Sequence, residues 1–156
     1  MDEHIKSVLI GCDHAAYDLK EKLKIYLTEK SIDIEDIGTF DMDSVDYPDF
    51  AARVASSVSK GEYDRGILIC ATGIGMSIAA NRFIGVRAAL CNDLFSATRS
   101  RQHNDANILV MGSRIIGEGL ARAIVNTWFE TPFDEGRHRL RIEKIDLVTK
   151  TPVEDR

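Results

Sequence analysis

The chain has no excess of basic residues: over 156 residues its formal net charge is −5, whereas a nucleic-acid footprint needs a basic surface. No apolar run approaches the ~20 residues of a membrane span, and Met1 to Lys6 (MDEHIK) is too polar for a signal peptide. No nucleic-acid or membrane partner is expected, and the expected location is the cytoplasm. The three cysteines, Cys12, Cys70 and Cys91, are odd in number and lack CxxC spacing, so neither a disulfide framework nor a zinc knuckle is indicated. No two histidines stand i, i+4 around a carboxylate, which removes the usual helical zinc motif, and a P-loop is excluded because GxxxxGKS/T is absent. No metal is expected.

What is present is one domain's worth of ordinary globular composition, 44% hydrophobic and 29% charged. Residues 1–150 are expected to form a single domain, and Thr151 to Arg156 a loose tail. Ser7 to Cys12 (SVLIGC) reads as a strand, followed by a helix from Ala15 to Lys30 with Leu19, Leu23 and Leu27 on one face. Ile32 to Ile37 alternates apolar and acidic residues as a half-exposed strand does. A loop follows, and Asp46 with Pro48 is the expected cap of a helix from about Pro48 to Ser59. Gly66 to Ile69, with Cys70 at its end, Val86 to Cys91 and Ile108 to Met111 are apolar runs read as buried strands. Helices are expected over about Leu94 to Gln102, over Gly119 to Phe129 with Leu120, Ile124 and Trp128 buried, and over Arg137 to Val148. Five apolar strands alternating with helices predict a doubly wound α/β fold, a Rossmann-like three-layer sandwich around a five-stranded parallel sheet.

Ligands collect outside the carboxyl ends of such strands. Those ends supply Cys12, Asp13 and His14, then Cys70 to Gly75, then Asn92 and Asp93, then Gly112 to Arg114. The run RGILICATGIGMSIAANR, Arg65 to Arg82, reads as strand, glycine turn and helix. Backbone N–H groups bared at that turn favour an anion, either a phosphate brought by a ligand or an oxyanion formed in a reaction. Cys12 and Cys91 read as small buried hydrophobes. Cys70 differs because a nearby helix N-terminus favours a thiolate, although burial opposes it. Asp13-His14 is a helix cap or a catalytic couple; His103 is a helix-end surface residue or a site residue. His4 and His138 read as background. Arg137 and Arg141 share a helix face, as a solvated run or a phosphate clamp. Gly73 and Gly75, with Asp93 as the distal acid, half match a dinucleotide fingerprint whose third glycine is replaced by Ile78.

GCDHA at 11–15, DYP at 46–48, GILICATGIGMSIAAN at 66–81, SRQHNDAN at 100–107, GSR at 112–114 and GRHRLR at 136–141 together resemble the type B ribose-5-phosphate isomerases, a family that includes the subunits of galactose-6-phosphate isomerase. The resemblance implies a cofactor-independent aldose–ketose isomerase working through an enediolate on a small sugar phosphate. It implies Cys70 as the base, Thr72 as a proton shuttle, and His103 with Asp13 as the ring-opening pair. The backbone of Ala71, Gly73, Ile74, Gly75 and the residues up to Met76 would hold the enediolate oxygen. Asn104 would bind hydroxyls, and His14, Arg137 and Arg141 the phosphate; Tyr47 and Arg114 match pocket positions. Met76 stands where some members carry a glutamate base, so the likeness is to the cysteine branch. Ala71 stands where glycine is usual, and its methyl is expected to narrow the approach to the turn. A homodimer or homotetramer with sites shared between subunits is implied. The alternatives are an isomerase of another sugar phosphate (allose, galactose or tetrose phosphate) and a non-catalytic nucleotide-binding module.

Overall fold

The computed structural model describes residues 7–148; the polar start with His4, and the expected tail, lie outside the described residues. The elements, in order, are β1 (Val8–Cys12), a 3-10 turn (His14–Ala16), α1 (Tyr17–Glu29), β2 (Ile34–Asp36), α2 (Tyr47–Ser59), β3 (Gly66–Cys70), α3 (Ile74–Ala80), β4 (Ala88–Leu90), α4 (Leu94–Asn104), β5 (Ile108–Gly112), α5 (Glu118–Glu130) and α6 (Arg137–Leu147). All strands are parallel, in the order β2-β1-β3-β5-β4. The chain leaves β1 for β2 on one side and returns to β3 on the other, so strand order reverses between β1 and β3, where α/β folds open a crevice. No helix among the described residues is long and apolar enough to cross a membrane.

Strand residues alternate between two cores because successive side chains leave opposite faces of a sheet. Val8, Ile10, Ile67, Ile69, Leu109 and Met111 pack against Leu19, Leu23 and Leu27 of α1 and Ile124, Val125 and Trp128 of α5. Leu9, Leu68, Ile108 and Val110 pack against Val54, Ala55 and Val58 of α2 and Met76 and Ala80 of α3. Cys12 and Cys91 fall in the first core and Cys70 in the second.

Several elements depart from the sequence reading. β4 is three half-buried residues rather than a buried strand over 86–91, because β5 inserts between β3 and β4 and leaves β4 at the sheet edge. β2, the other edge, is equally short. The buried face of α5 is Ala121, Ile124, Val125 and Trp128, while Leu120 is exposed. Asp46 occupies the N-cap of α2 but makes no side-chain capping bond. α1 starts two residues later than expected because Asp13 first caps the 3-10 turn. α4 runs on to Asn104, so His103 and Asn104 belong to its last turn.

Lys20 of α1 is fully buried, paired with Asp36 and 3.1 Å from Glu21. Lys24 adds a 2.6 Å contact to Asp36, whose other oxygen accepts from the Gly38 amide at 2.9 Å. Burial pushes the Asp36 carboxyl up, but bonds from Lys20, Lys24 and Gly38 outweigh it and hold the group below its ordinary value. The cluster ties α1 to the end of β2 and to the start of the loop that leads to the site.

Candidate active site

Cys70 ends β3 and is 5% exposed. Its sulfur accepts from the Gly73 amide at 3.1 Å, so the thiol faces the glycine turn rather than the sheet. Gly73 opens α3 with φ +81°, and a Cβ there would lie 2.4 Å from Leu90 Cδ1; only glycine fits. The exposed Thr72 hydroxyl oxygen accepts from the Ile74 amide at 3.3 Å, which leaves its proton free to be passed on. The Gly75 and Met76 amides have no acceptor among the described residues, as the first turn of a helix predicts. They are two bare donors beside the thiol.

Tyr47, first residue of α2, lies against the turn. A Cβ at Gly75 would come 2.4 Å from its ring, so the absent side chain is what lets the ring close over α3. The Ala71 carbonyl accepts from the Arg114 amide at 3.0 Å, and the Cys70 carbonyl from Ser113 at 2.8 Å, which ties the segment after β5 to the same turn. Ala71 is not among the residues with positive φ, so its methyl carries no backbone strain.

The end of β1 completes this group. Asp13 is 7% exposed and caps the 3-10 turn, Oδ1 accepting from the Ala15 amide at 3.0 Å. Burial raises its proton affinity against the opposing pull of His14, the Ala15 and Ala16 amides, and Arg114. His14 Nδ1 accepts from the Val45 amide at 3.2 Å; a neutral ring held this way carries its proton on Nε2, a donor suited to an anion. The other two cysteines are chemically quiet, burial pushing the Cys12 thiol up to about 12 and the Cys91 thiol to about 11.

His103, Asn104, Arg137 and Arg141 form a second group, and one chain does not bring it to the first. α4 runs antiparallel to the strands, so its last turn returns to their amino ends. Arg87, just before β4, donates to the Asn104 carbonyl at 3.0 Å, and Asp105 lies 4.0 Å from Arg65, just before β3. Between that edge and Cys70 stands the whole of β3, about 13 Å of strand. Asp13 and His103 are therefore apart within the chain, as are His14 and the two arginines. Arg137 and Arg141 are exposed, and no carboxylate among the described residues pairs with either.

The sequence reading missed His138. Its ring stacks on that of His103, centroids 4.3 Å apart and planes 7° from parallel, and it is 6% exposed. Spacing carried no signal, because the partner belongs to another helix. With Asp134, the two histidines place ligand atoms within 4.8 Å of one another. A metal lies in the plane of each imidazole, about 2 Å from its nitrogen, and two parallel stacked planes do not meet at such a point. The trio does not form a metal centre in this arrangement. Asp93 is engaged as the cap of α4, accepting from the Ser96 amide and hydroxyl at 2.7 Å each, and β5 separates its strand from β3. The acid that a dinucleotide ribose would need is thus already engaged in capping α4.

A model of the ribose/galactose isomerase family matches residues 8–145. The chain is 45% identical over 144 residues to ribose-5-phosphate isomerase B of Escherichia coli (strain K12), an alignment covering 92% of this chain and 97% of that one. Among solved structures, ribose-5-phosphate isomerase B of Clostridium thermocellum superposes with a TM-score of 0.91 at 48% identity, covering 93% of this chain and 98% of that one. A ribose 5-phosphate isomerase from Thermotoga maritima gives 0.89 at 55% identity, covering 93% and 100%.

Proposed function

Since the chain belongs to the ribose/galactose isomerase family, we propose that it interconverts ribose 5-phosphate and ribulose 5-phosphate in the cytoplasm, with Cys70 as the base. His103 opens the furanose by moving a proton from the C1 hydroxyl to the ring oxygen. The Cys70 thiolate then takes the proton from C2, and negative charge develops on O1. The bare amides of the glycine turn stabilise that charge, and such preorganised donors typically contribute about 3 kcal/mol each. Thr72 relays the hydroxyl proton from O2 to O1, and the thiol returns its proton to C1. No atom is gained or lost, and no cofactor enters the sequence. Asn104 binds substrate hydroxyls, while His14, Arg137 and Arg141 hold the phosphate, and Tyr47 and Arg114 wall the pocket.

The observation that carries the base is the 3.1 Å approach of the Gly73 amide to the Cys70 sulfur, which aims the thiol at the proposed oxyanion cradle. The other two thiols are buried in the opposite core and pushed up to about 12 and about 11.

The working unit is a homodimer or homotetramer in which each site takes the Cys70 group from one chain and the His103 group from another. Support comes from the separation of the groups across the sheet and from Arg137 and Arg141, exposed and without a carboxylate partner among the described residues.

In deuterated buffer, ribose 5-phosphate should acquire deuterium at C2 and ribulose 5-phosphate at C1. Cys70→Ala should abolish both exchanges while binding of a phosphate-bearing, non-isomerisable sugar acid persists. Exchange that continues in Cys70→Ala removes the cysteine as base.

A further inference from the structure

The stacked histidines carry more than the ring-opening role given to one of them. We propose that His138 is a positioning residue for His103, its flat ring fixing the plane of the imidazole that opens the furanose; this rests on the reading of His103 above.

His103 is half-buried in the last turn of α4, where helices fray; Arg99 Nη1 lies 3.4 Å from its Nε2, and a carboxylate oxygen of Asp134 stands within 4.8 Å of a ring nitrogen. Edge-on hydrogen bonding would hold the ring more firmly but would occupy a nitrogen needed for proton transfer. A ring packed on its face restrains the plane without itself engaging either nitrogen.

His138 is suited to that task because it is itself fixed. It is buried in the first turn of α6, and its amide donates to the Glu135 carbonyl at 3.0 Å. The Asp134 amide donates to the Gln102 carbonyl at 3.0 Å, which ties the approach to α6 directly to the end of α4. The charged groups facing the pair are Arg99 from α4, Arg137 and Arg141 from α6, and Asp134 before α6. Burial lowers the proton affinity of His138, and His103, Arg137 and Arg141 lower it further against the pull of Asp134. These influences favour the uncharged form of the stacking plate beside a ring that must gain and lose a proton.

The substrates separate this role from a structural one. Ribose 5-phosphate is a furanose and must be opened, whereas ribulose 5-phosphate cannot close a five-membered ring, because the oxygen it would use carries the phosphate. Exchange of the ribulose 5-phosphate C1 proton with deuterated water needs the base but not ring opening.

His138→Leu fills the space without a flat ring, and His138→Phe keeps the ring. Leu is expected to lower ribose 5-phosphate turnover about tenfold or more, a typical cost of slight misalignment. It should leave C1 exchange within about twofold and both KM values unchanged; Phe should restore most of the lost turnover. The proposal is overturned if Leu lowers both reactions alike or neither, or if Phe is as damaging as Leu at equal thermal stability. His103→Ala runs alongside: without a selective loss of ribose 5-phosphate turnover in that variant, the reading of His103 fails. If His103→Ala is selective and His138→Leu is not, only the role of His138 fails.

Discussion

Two inactive variants should rescue one another. Cys70→Ala removes the proposed base from one end of the sheet, and His103→Ala the proposed ring-opening group from the other, with the length of β3 between them. In the proposed twofold assembly each site would join the Cys70 end of one chain to the His103 end of its neighbour. A mixed pair therefore holds one site lacking both groups and one site with neither lesion. Random pairing of equal amounts makes about half of all dimers mixed, each with one of two sites intact, so activity should recover to about one quarter of wild type. A dimer of dimers gives the same fraction. Co-expressing the variants with different affinity tags, purifying through both, and following ketopentose formation would isolate the mixed species, expected at about half the wild-type rate for a dimer. Mixed dimers no more active than their parents would refute the shared site, and would require a rearrangement bringing both groups together within one chain.

Alkylation with iodoacetamide under native conditions should label Cys70 and spare Cys12 and Cys91, whose thiols burial pushes up to about 12 and about 11. Peptide mass mapping showing faster labelling of either would contradict the electrostatic picture. Gly75→Ala should displace the Tyr47 ring, since the new methyl would lie 2.4 Å from it. Because Tyr47 is 40% exposed and free to swing out, the loss should fall on KM rather than stability. The same change in a Tyr47→Ala background should have little further effect; additive losses would mean the residues act separately.

Asp36→Asn leaves Lys20 buried with a weakened partner and should cost about 3 kcal/mol at neutral pH. The Asp36 carboxyl lies below its ordinary value when folded, so its contribution is complete above about pH 4 and is lost as pH falls through the folded value. Denaturation midpoints of wild type and variant should converge in acid; a gap that stays constant down to pH 2 would exclude the ion pair as its source.

The central strands were legible because burial on both faces makes β1, β3 and β5 read as unbroken apolar runs. β4 was overread because VRAALC is equally apolar, and nothing local reports that β5 will take the place beside β3. Lys20 was invisible for a related reason: a lysine in an amphipathic helix reads as solvated, and its partner Asp36 lies on the next strand. The glycine turn and the Asp13-His14 corner could be located from strand ends alone. Assigning His103 to the same pocket came from family likeness, whereas the direction of α4 puts it at the far end of the sheet. His138 escaped notice because stacking depends on how two helices meet, which no spacing within either one encodes.

The proposed division of chemistry between the two ends of the sheet would make catalysis a property of encounter. On the shared-site proposal a solitary chain carries two incomplete halves of a site, so specific activity should decline on dilution below the concentration at which copies remain associated. Substrate, bridging the seam, would then hold the copies together. On that proposal the strength of self-association, rather than the stability of the fold, would set the lowest concentration at which the protein works.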